Sequence, residues 1–166
     1  MKTTIVGKRV FVSDLAEAYE RVALEDECVA VELLRAGRFR HAMYQVVQGM
    51  EKRIRAASLR LGESPEAFCQ RAKNHSLEEA LDGLVAALTR HDLAKDQVED
   101  MLFRHVLQGI RFDWLHNDLR YPFYLSNRRT SAVLEVTRTD VEQMLMRSHR
   151  LQVYLKDLGR LQSASG

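Results

Sequence analysis

Three side chains that can act together on a phosphate ester lie close together in the sequence: Arg111, Asp113 and His116. Imidazole titrates near neutral pH, so His116 can take the proton from a ribose 2′-hydroxyl. A guanidinium can hold the phosphate and the charge that grows on it, which is the role we assign to Arg111. Asp113 can orient the imidazole ring and stabilise the imidazolium. These residue types suit cleavage of RNA, with the three residues as catalytic candidates.

The spacing of this arginine and histidine does not by itself establish a catalytic pair. The chain has 19 arginines and 6 histidines, and Arg35 with His41 forms a second pair at a similar spacing. The alternative is an ordinary helix surface, on which Asp113 pairs with Arg120 or Asn117 and the histidine is exposed or takes part in a cap.

Arg120 and Tyr121 are candidates for binding a nucleotide phosphate. The alternative is a structural role, with Arg120 paired with an acidic residue and Tyr121 packed under the final helix. The sequence contains no HExxH or comparable metal-binding pattern and no glycine-rich phosphate loop. We therefore predict neither a metal site nor a bound cofactor.

The composition favours a single helical domain. A chain of 166 residues can bury a continuous core without disulfide or metal support. With 46% hydrophobic residues, 29% charged residues and two prolines, it is typical neither of a disordered chain nor of a loop-rich β-sandwich. The predicted fold class is all-α, an antiparallel bundle of four to five helices.

Charge and cysteine content indicate the type of partner and the compartment. The net charge of +2 does not require a nucleic-acid partner, but 19 arginines against 6 lysines favour an anionic one. A GC-rich genome is the alternative explanation. Cys28 and Cys69 lie in apolar helical patterns, which predicts buried free thiols in a reducing cytoplasm. There is no apolar run of about 18 residues and no signal peptide, so we predict a cytoplasmic protein without a membrane partner.

The clearest helix pattern lies between Glu32 and Arg60, where apolar residues recur at steps of three and four. This stripe comprises Phe39, Met43, Val46, Val47, Met50, Ile54, Ala57 and Leu61. A solvated face is predicted for the residues between them, Arg38, Arg40, Gln45, Gln48, Lys52, Arg53 and Arg55. An earlier helix is capped by Ser13 or Asp14 and ends at Gly37. Its predicted stripe includes Leu15, Tyr19, Val22, Val29 and Leu33.

Capping residues divide the middle of the chain. Pro65 begins a short third helix around Phe68, and a capping box of Ser76 and Glu79 begins a fourth helix at residues 77–88.

A long helix is predicted from Asp92 or Asp96 to Tyr121, where Pro122 ends it. This helix would carry the candidate catalytic residues. The segment 123–137 is predicted to be a loop, with its tip at Asn127, Arg128 and Arg129.

The last helix is predicted to begin at a capping box of Thr139 and Glu142 and to end near Leu161. No internal repeat or linker is visible. We therefore predict an extended N-terminal arm at residues 1–12, one domain at 13–161 and a frayed tail at 162–166.

Three pieces of the sequence resemble, in order, motifs of the HEPN family of small α-helical prokaryotic proteins. The first is ELLRAGRFRHAMYQVVQGMEKRIRA, similar to a family helix in which an alanine–aromatic pair and a Gln-x-x-Glu-Lys element precede a basic stretch. The second is NHSLEEAL, similar to the family's His-polar-Leu helix start, and the third is LRYPF, similar to its Arg-Tyr-Pro element. The resemblance covers roughly residues 22–158.

The resemblance implies a helical homodimer with any active site near the dimer cleft. Many family members cut RNA without metal through Arg-x(4-6)-His, which Arg111 and His116 match in spacing. Phe112 stands where the nucleases commonly have a polar residue. The implied function is a metal-independent endoribonuclease, the toxin of a toxin–antitoxin pair with a nucleotidyltransferase-like partner. The alternative is a non-catalytic HEPN module that binds a nucleotide, a nucleic acid or a protein.

Overall fold

The computed structural model describes residues 7, 11–71, 77–89, 95–110 and 115–163, which form a mostly helical fold. The helices are α1 (Leu15–Arg35), α2 (Phe39–Arg60), α3 (Pro65–Arg71), α4 (Leu77–Thr89), α5 (Lys95–Asp100), α6 (Leu115–Asp118) and α7 (Arg138–Ser163). Helix α5 continues directly into a π-helical segment, Met101–Val106. Strands β1 (Phe123–Leu125) and β2 (Thr130–Ala132) pair antiparallel. The predicted all-α fold class is confirmed.

A tight turn at Gly37 joins α1 to α2. Gly37 adopts a left-handed backbone conformation with φ 71°, which a residue without Cβ reaches at little cost. The N–H groups of Gly37 and Arg38 donate to the carbonyls of Leu34 and Leu33 at 3.1 and 2.8 Å, so the last turn of α1 is closed. At the other end of α1, the Asp14 carboxylate accepts from the Glu17 N–H at 3.0 Å. The predicted start and end of this helix are confirmed.

The most deeply buried face of α1 consists mainly of small residues, so the predicted stripe is wrong for Val22 and Val29, whereas its other members, Leu15, Tyr19 and Leu33, are half-buried. The buried apolar residues of α1 are Ala16, Ala23, Ala30 and Leu34, whereas Val22 and Val29 are exposed. The buried face lies roughly a quarter turn from the predicted one. The cause is close packing at Gly49 of α2, where a Cβ would lie 3.1 Å from the Ala23 carbonyl oxygen. Larger side chains do not fit between backbones that are so close.

Helix α2 is the centre of the fold, because α1, α4 and α7 all pack against it. Its predicted apolar stripe is confirmed, with Phe39 partly buried and the other members buried. Helix α4 is apolar on most of its surface and adds Leu77, Leu81, Leu84 and Leu88 to the same core.

Helix α7 runs parallel to α2, which differs from the antiparallel arrangement that was predicted for neighbouring helices. At its start, the Arg138 guanidinium lies 5.5 Å from the centre of the Phe39 ring at the start of α2. Further along, Met144 and Met43 line one cavity. Helix α1 runs antiparallel to both, because Glu20 near the start of α1 pairs with Arg60 near the end of α2.

Two arginines of α2 that were predicted to lie on a solvated face are buried, so that prediction is wrong for Arg53 and Arg55. Arg53 donates to both carboxylate oxygens of Glu27, and Arg55 donates to the buried Glu51 at 2.8 Å. Ser148 of α7 also donates to Glu27, at 2.6 Å. Because neighbours surround α2 on several sides, its polar positions become interior positions that need partners.

The predicted long helix is broken before the candidate catalytic segment. The Leu107 N–H donates to the Leu102 carbonyl at 2.8 Å, five residues back, which is the pattern of a π turn. Gln108 and Gly109 then adopt left-handed conformations with φ 54° and 72°, and the helix ends. The apolar positions before the break are buried as predicted, with Val98, Leu102 and Val106 in the core. Gly109 was the sequence signal for this end.

The predicted loop at 123–137 contains the β1–β2 hairpin, and α7 begins earlier than predicted. Thr137, not Thr139, caps α7: its hydroxyl accepts from the Asp140 N–H at 3.3 Å, and Asp140 accepts from the Thr137 N–H at 2.8 Å. This is a capping box shifted by two residues from the predicted pair, Thr139 and Glu142.

Other predictions concern the ends and the cysteines. Cys28 and Cys69 are free thiols, but both are exposed, so the prediction that they are buried is wrong. Most of the predicted N-terminal arm lies outside the described residues, as do Ser76 of the predicted capping box and the end of the tail. Within the described ranges, no helix has both the length and the apolar character needed to cross a membrane.

Substituting Arg53 by methionine should destabilise the fold by about 3 kcal/mol, because it leaves the Glu27 carboxylate without its cation in a largely dry interior. The Arg53 side chain is 4% exposed and that of Glu27 is 20% exposed. The matched control is Arg60→Met, since Arg60 pairs with Glu20 in the same network but is 55% exposed. It should cost less than about 1 kcal/mol. Urea denaturation measures both, and equal losses would contradict the assignment.

Substituting Thr137 by valine should destabilise α7 by about 1 kcal/mol through loss of the capping hydroxyl. Hydrogen bonds from the Thr137 hydroxyl and backbone N–H lower the pKa of the Asp140 carboxyl. A lowered pKa in the folded state stabilises the protein above the unfolded value of about 3.9, and this stabilisation is lost as pH falls through the folded value. Denaturation of the unmodified protein and of Thr137→Val measures the effect. The difference between their free energies of unfolding should be smaller in acid than at pH 7.

Candidate functional site

A half-buried cluster between α2 and α6 contains two of the predicted site residues, His116 and Arg120, and a third, Tyr121, lies beside it. Helix α2 presents Arg40, Tyr44 and Gln48 at intervals of four residues, so they form one stripe along its side. Helix α6 and the turn after it present His116 and Arg120 to this stripe. We call these five residues the His116 cluster.

The His116 ring contacts a polar neighbour at each nitrogen. Its Nδ1 lies 3.1 Å from the amide nitrogen of Gln48, and its Nε2 lies 3.4 Å from an Nη atom of Arg120. The ring of Tyr44 packs against it with centroids 5.5 Å apart and planes inclined by 49°. The imidazole is therefore held from three sides, while its own side chain is only half-buried.

The proton positions follow from what each neighbour can offer. A guanidinium only donates, and a neutral imidazole has one acceptor nitrogen. Both contacts are hydrogen bonds only when Nε2 of His116 accepts from Arg120 and Nδ1–H donates to the Gln48 amide oxygen. The structure has the amide nitrogen of Gln48 facing Nδ1, so this assignment requires a half-turn of the amide, which exchanges its nitrogen and oxygen, two atoms of nearly equal size. With the amide turned in this way, Nε2 is unprotonated, as a general base requires.

Arg120 lies between two tyrosine rings. Its guanidinium carbon is 5.1 Å from the centre of the Tyr121 ring and 6.0 Å from that of Tyr44. Within the described ranges, Arg120 forms no ion pair with a carboxylate, and Tyr121 is 55% exposed. The structural alternative for this pair, an acidic partner and a tyrosine packed under α7, is not what the described residues show. The aromatic faces orient the cation and leave its charge unneutralised.

Arg40 connects α2 to α6. It donates from Nη2 to the Asp118 carbonyl at the end of α6, at 3.3 Å. Its Nε is buried and has no hydrogen-bond acceptor among the residues that the structure describes. A helix of four residues has little stability of its own, so this contact helps to hold His116 in place.

The structure brings together His116, Arg120 and Tyr121 from the sequence prediction. Arg111 and Asp113 lie outside the described residues. The sequence reasoning missed Arg40, Tyr44 and Gln48 as members of the site. Their only signal in the sequence was the spacing of four residues, and any exposed helix face can have the same spacing.

Comparison of the chain with known protein families, curated proteins and solved structures found no match. The resemblance to the HEPN family therefore stays a prediction from the sequence motifs. In the described part of the chain, no group of three or more His, Cys, Asp and Glu side chains could hold a metal ion.

When its ring is neutral, His116 should carry the proton on Nδ1, whereas free histidine prefers Nε2. Long-range ¹H–¹⁵N NMR spectra distinguish the two tautomers. His41 and His149 are exposed and serve as internal controls with the usual tautomer. Gln48→Leu removes the acceptor and should shift His116 toward the Nε2–H form. An Nε2–H tautomer in the unmodified protein would contradict the assigned hydrogen bonds.

Proposed function

We propose that the chain is a HEPN-type, metal-independent endoribonuclease with His116 as the general base. The observation that carries the proposal is the position of the Arg120 guanidinium, 3.4 Å from Nε2 of a ring held by Gln48. In RNA, the 2′-hydroxyl and the phosphate that it attacks are neighbours. A base and a cation that serve them must therefore also be neighbours.

In the proposed reaction, Nε2 of His116 takes the proton of the 2′-hydroxyl as its oxygen attacks the adjacent phosphorus. The bond from phosphorus to the 5′-oxygen breaks, that oxygen takes a proton from water, and the hydroxide so formed removes the proton from the His116 imidazolium. The products are a 2′,3′-cyclic phosphate and a 5′-hydroxyl. Arg120 is exposed beside the ring, where its N–H groups can bind the phosphoryl oxygens as their charge grows.

Arg111 and Asp113 keep the roles that the sequence suggested. Arg111 is the phosphate-binding partner implied by Arg-x(4-6)-His, and Asp113 stabilises the imidazolium that forms when His116 takes the proton. Arg120 then acts as a second cation. From the same resemblance we propose a cytoplasmic homodimer, acting as a toxin restrained by a nucleotidyltransferase-like antitoxin.

A second candidate function is a non-catalytic HEPN module that binds a nucleotide, RNA or a protein partner. The exposed ring of Tyr121 beside Arg120 favours the nucleotide and RNA versions, because the pair offers one surface for a base and one cation for a phosphate. Both candidate functions use the His116 cluster. They differ in whether the histidine moves a proton.

Purified protein should cut RNA in the presence of excess chelator. His116→Ala should slow cleavage by about 10²-fold or more through loss of the base, and Arg111→Ala and Arg120→Ala should each slow it about as much through loss of a phosphate contact. The matched controls are His149→Ala and Arg150→Ala, two exposed residues of α7 that should retain full activity. Gel analysis of end-labelled RNA measures the rates, and circular dichroism and light scattering check the variants.

Cleavage that survives His116→Ala would exclude this residue as the base. If no condition gives cleavage by the unmodified protein but RNA still binds, the binding-module function is the correct one.

A further inference from the structure

The stretch from Leu119 to Leu134 has a distinctive charge pattern. It contains three arginines, three aromatic residues and no aspartate or glutamate, in a chain whose acidic and basic residues are otherwise nearly balanced. It begins in the His116 cluster with Arg120 and continues through the β1–β2 hairpin. This surface therefore combines uncompensated positive charge with aromatic rings.

The register of the hairpin gives it two different faces. Phe123 pairs with Ala132, and all three of Phe123, Leu125 and Ala132 are half-buried. Tyr124 pairs with Ser131 on the opposite face, since side chains alternate along a strand. Tyr124 is 65% exposed, and because its cross-strand neighbour Ser131 is small, the tyrosine ring remains accessible.

The tip of the hairpin carries two adjacent cations. The turn is closed by the Arg128 N–H, which donates to the Leu125 carbonyl at 3.1 Å, and Arg129 adopts a left-handed conformation with φ 47°. Both arginines are exposed, and neither pairs with a carboxylate in the part of the chain that the structure describes. Their guanidinium groups are available to an external anion.

We propose that this hairpin is a binding arm for single-stranded RNA, with a base stacked on Tyr124 and phosphates bound by Arg128 and Arg129. Exposed tyrosine faces suit unpaired bases, because bases in a duplex are already stacked. The arginine forks suit phosphate. Through Tyr121 and Arg120, the arm is continuous with the His116 cluster. The inference rests on the proposed function, for which it names the substrate as unpaired RNA and identifies the element that holds it.

The test is binding of fluorescein-labelled single-stranded RNA to the full chain carrying His116→Ala in chelator, measured by anisotropy. Adding Tyr124→Ala should weaken binding about tenfold or more, as expected for loss of one stacked base. Tyr124→Phe should bind as tightly as the parent. The double substitution Arg128→Ala, Arg129→Ala should weaken binding and reduce its dependence on salt. Phe11→Ala and Arg150→Ala, at exposed positions elsewhere, should have no effect.

A duplex of the same sequence and polyglutamate should each bind more weakly than the single-stranded RNA. Equal binding of polyglutamate would overturn the inference in favour of an acidic protein partner, and equal binding of the duplex would overturn the stacking role. If the unmodified chain does not bind RNA, or if the hairpin variants bind normally, the arm is excluded. In the latter case, cleavage that still requires His116 would leave the nuclease proposal intact. Binding through the arm without any cleavage would contradict the nuclease proposal and leave the binding arm supported.

Discussion

The carboxylate of Glu27 holds three helices together, because Arg53 of α2 and Ser148 of α7 both donate to it. Arg53 lies in an interior from which water is almost excluded, so the cost of burying its charge must be offset by a correctly placed partner. Gly49 permits the close approach of α1 and α2 that makes this contact. Helix α1 therefore cannot slide or rotate on α2 without leaving a buried cation unpaired.

The fixed position of α2 determines where the candidate site forms. One side of this helix enters the apolar core, and the stripe of Arg40, Tyr44 and Gln48 faces α6. Helix α6 has four residues and is too short to be stable alone. Its position depends on contacts such as that from Arg40 to the Asp118 carbonyl. The orientation of His116 is thus a product of the packed bundle, because local sequence cannot maintain it.

The candidate site contains a cation held by aromatic faces. A carboxylate partner would neutralise Arg120, whereas Tyr44 and Tyr121 orient it and leave its N–H groups able to bind an anion. The hairpin that follows extends the same combination of tyrosine and arginine away from the cluster. The proposed nuclease centre and the proposed RNA arm are therefore consecutive parts of one surface, and the turn after α6 joins them.

The sequence alone determined the helical class, the apolar stripe of α2 and the ends of α1. These features depend on interactions between residues a few positions apart, such as the cap at Asp14 and the left-handed turn at Gly37. It also indicated His116, Arg120 and Tyr121 as candidate site residues, since their types and proximity in the chain were visible.

Only the tertiary structure decided which face of α1 is buried, which arginines of α2 are interior and which residues surround His116. Gln48 is 68 positions from His116 in the chain, and Ser148 is 121 positions from Glu27. Periodicity reports that one face of a helix is apolar, but it does not report how many neighbours the helix has or how closely their backbones approach. Arg53 and Gln48 looked alike in the sequence, and their different roles arise because packing placed one against Glu27 and the other against an imidazole.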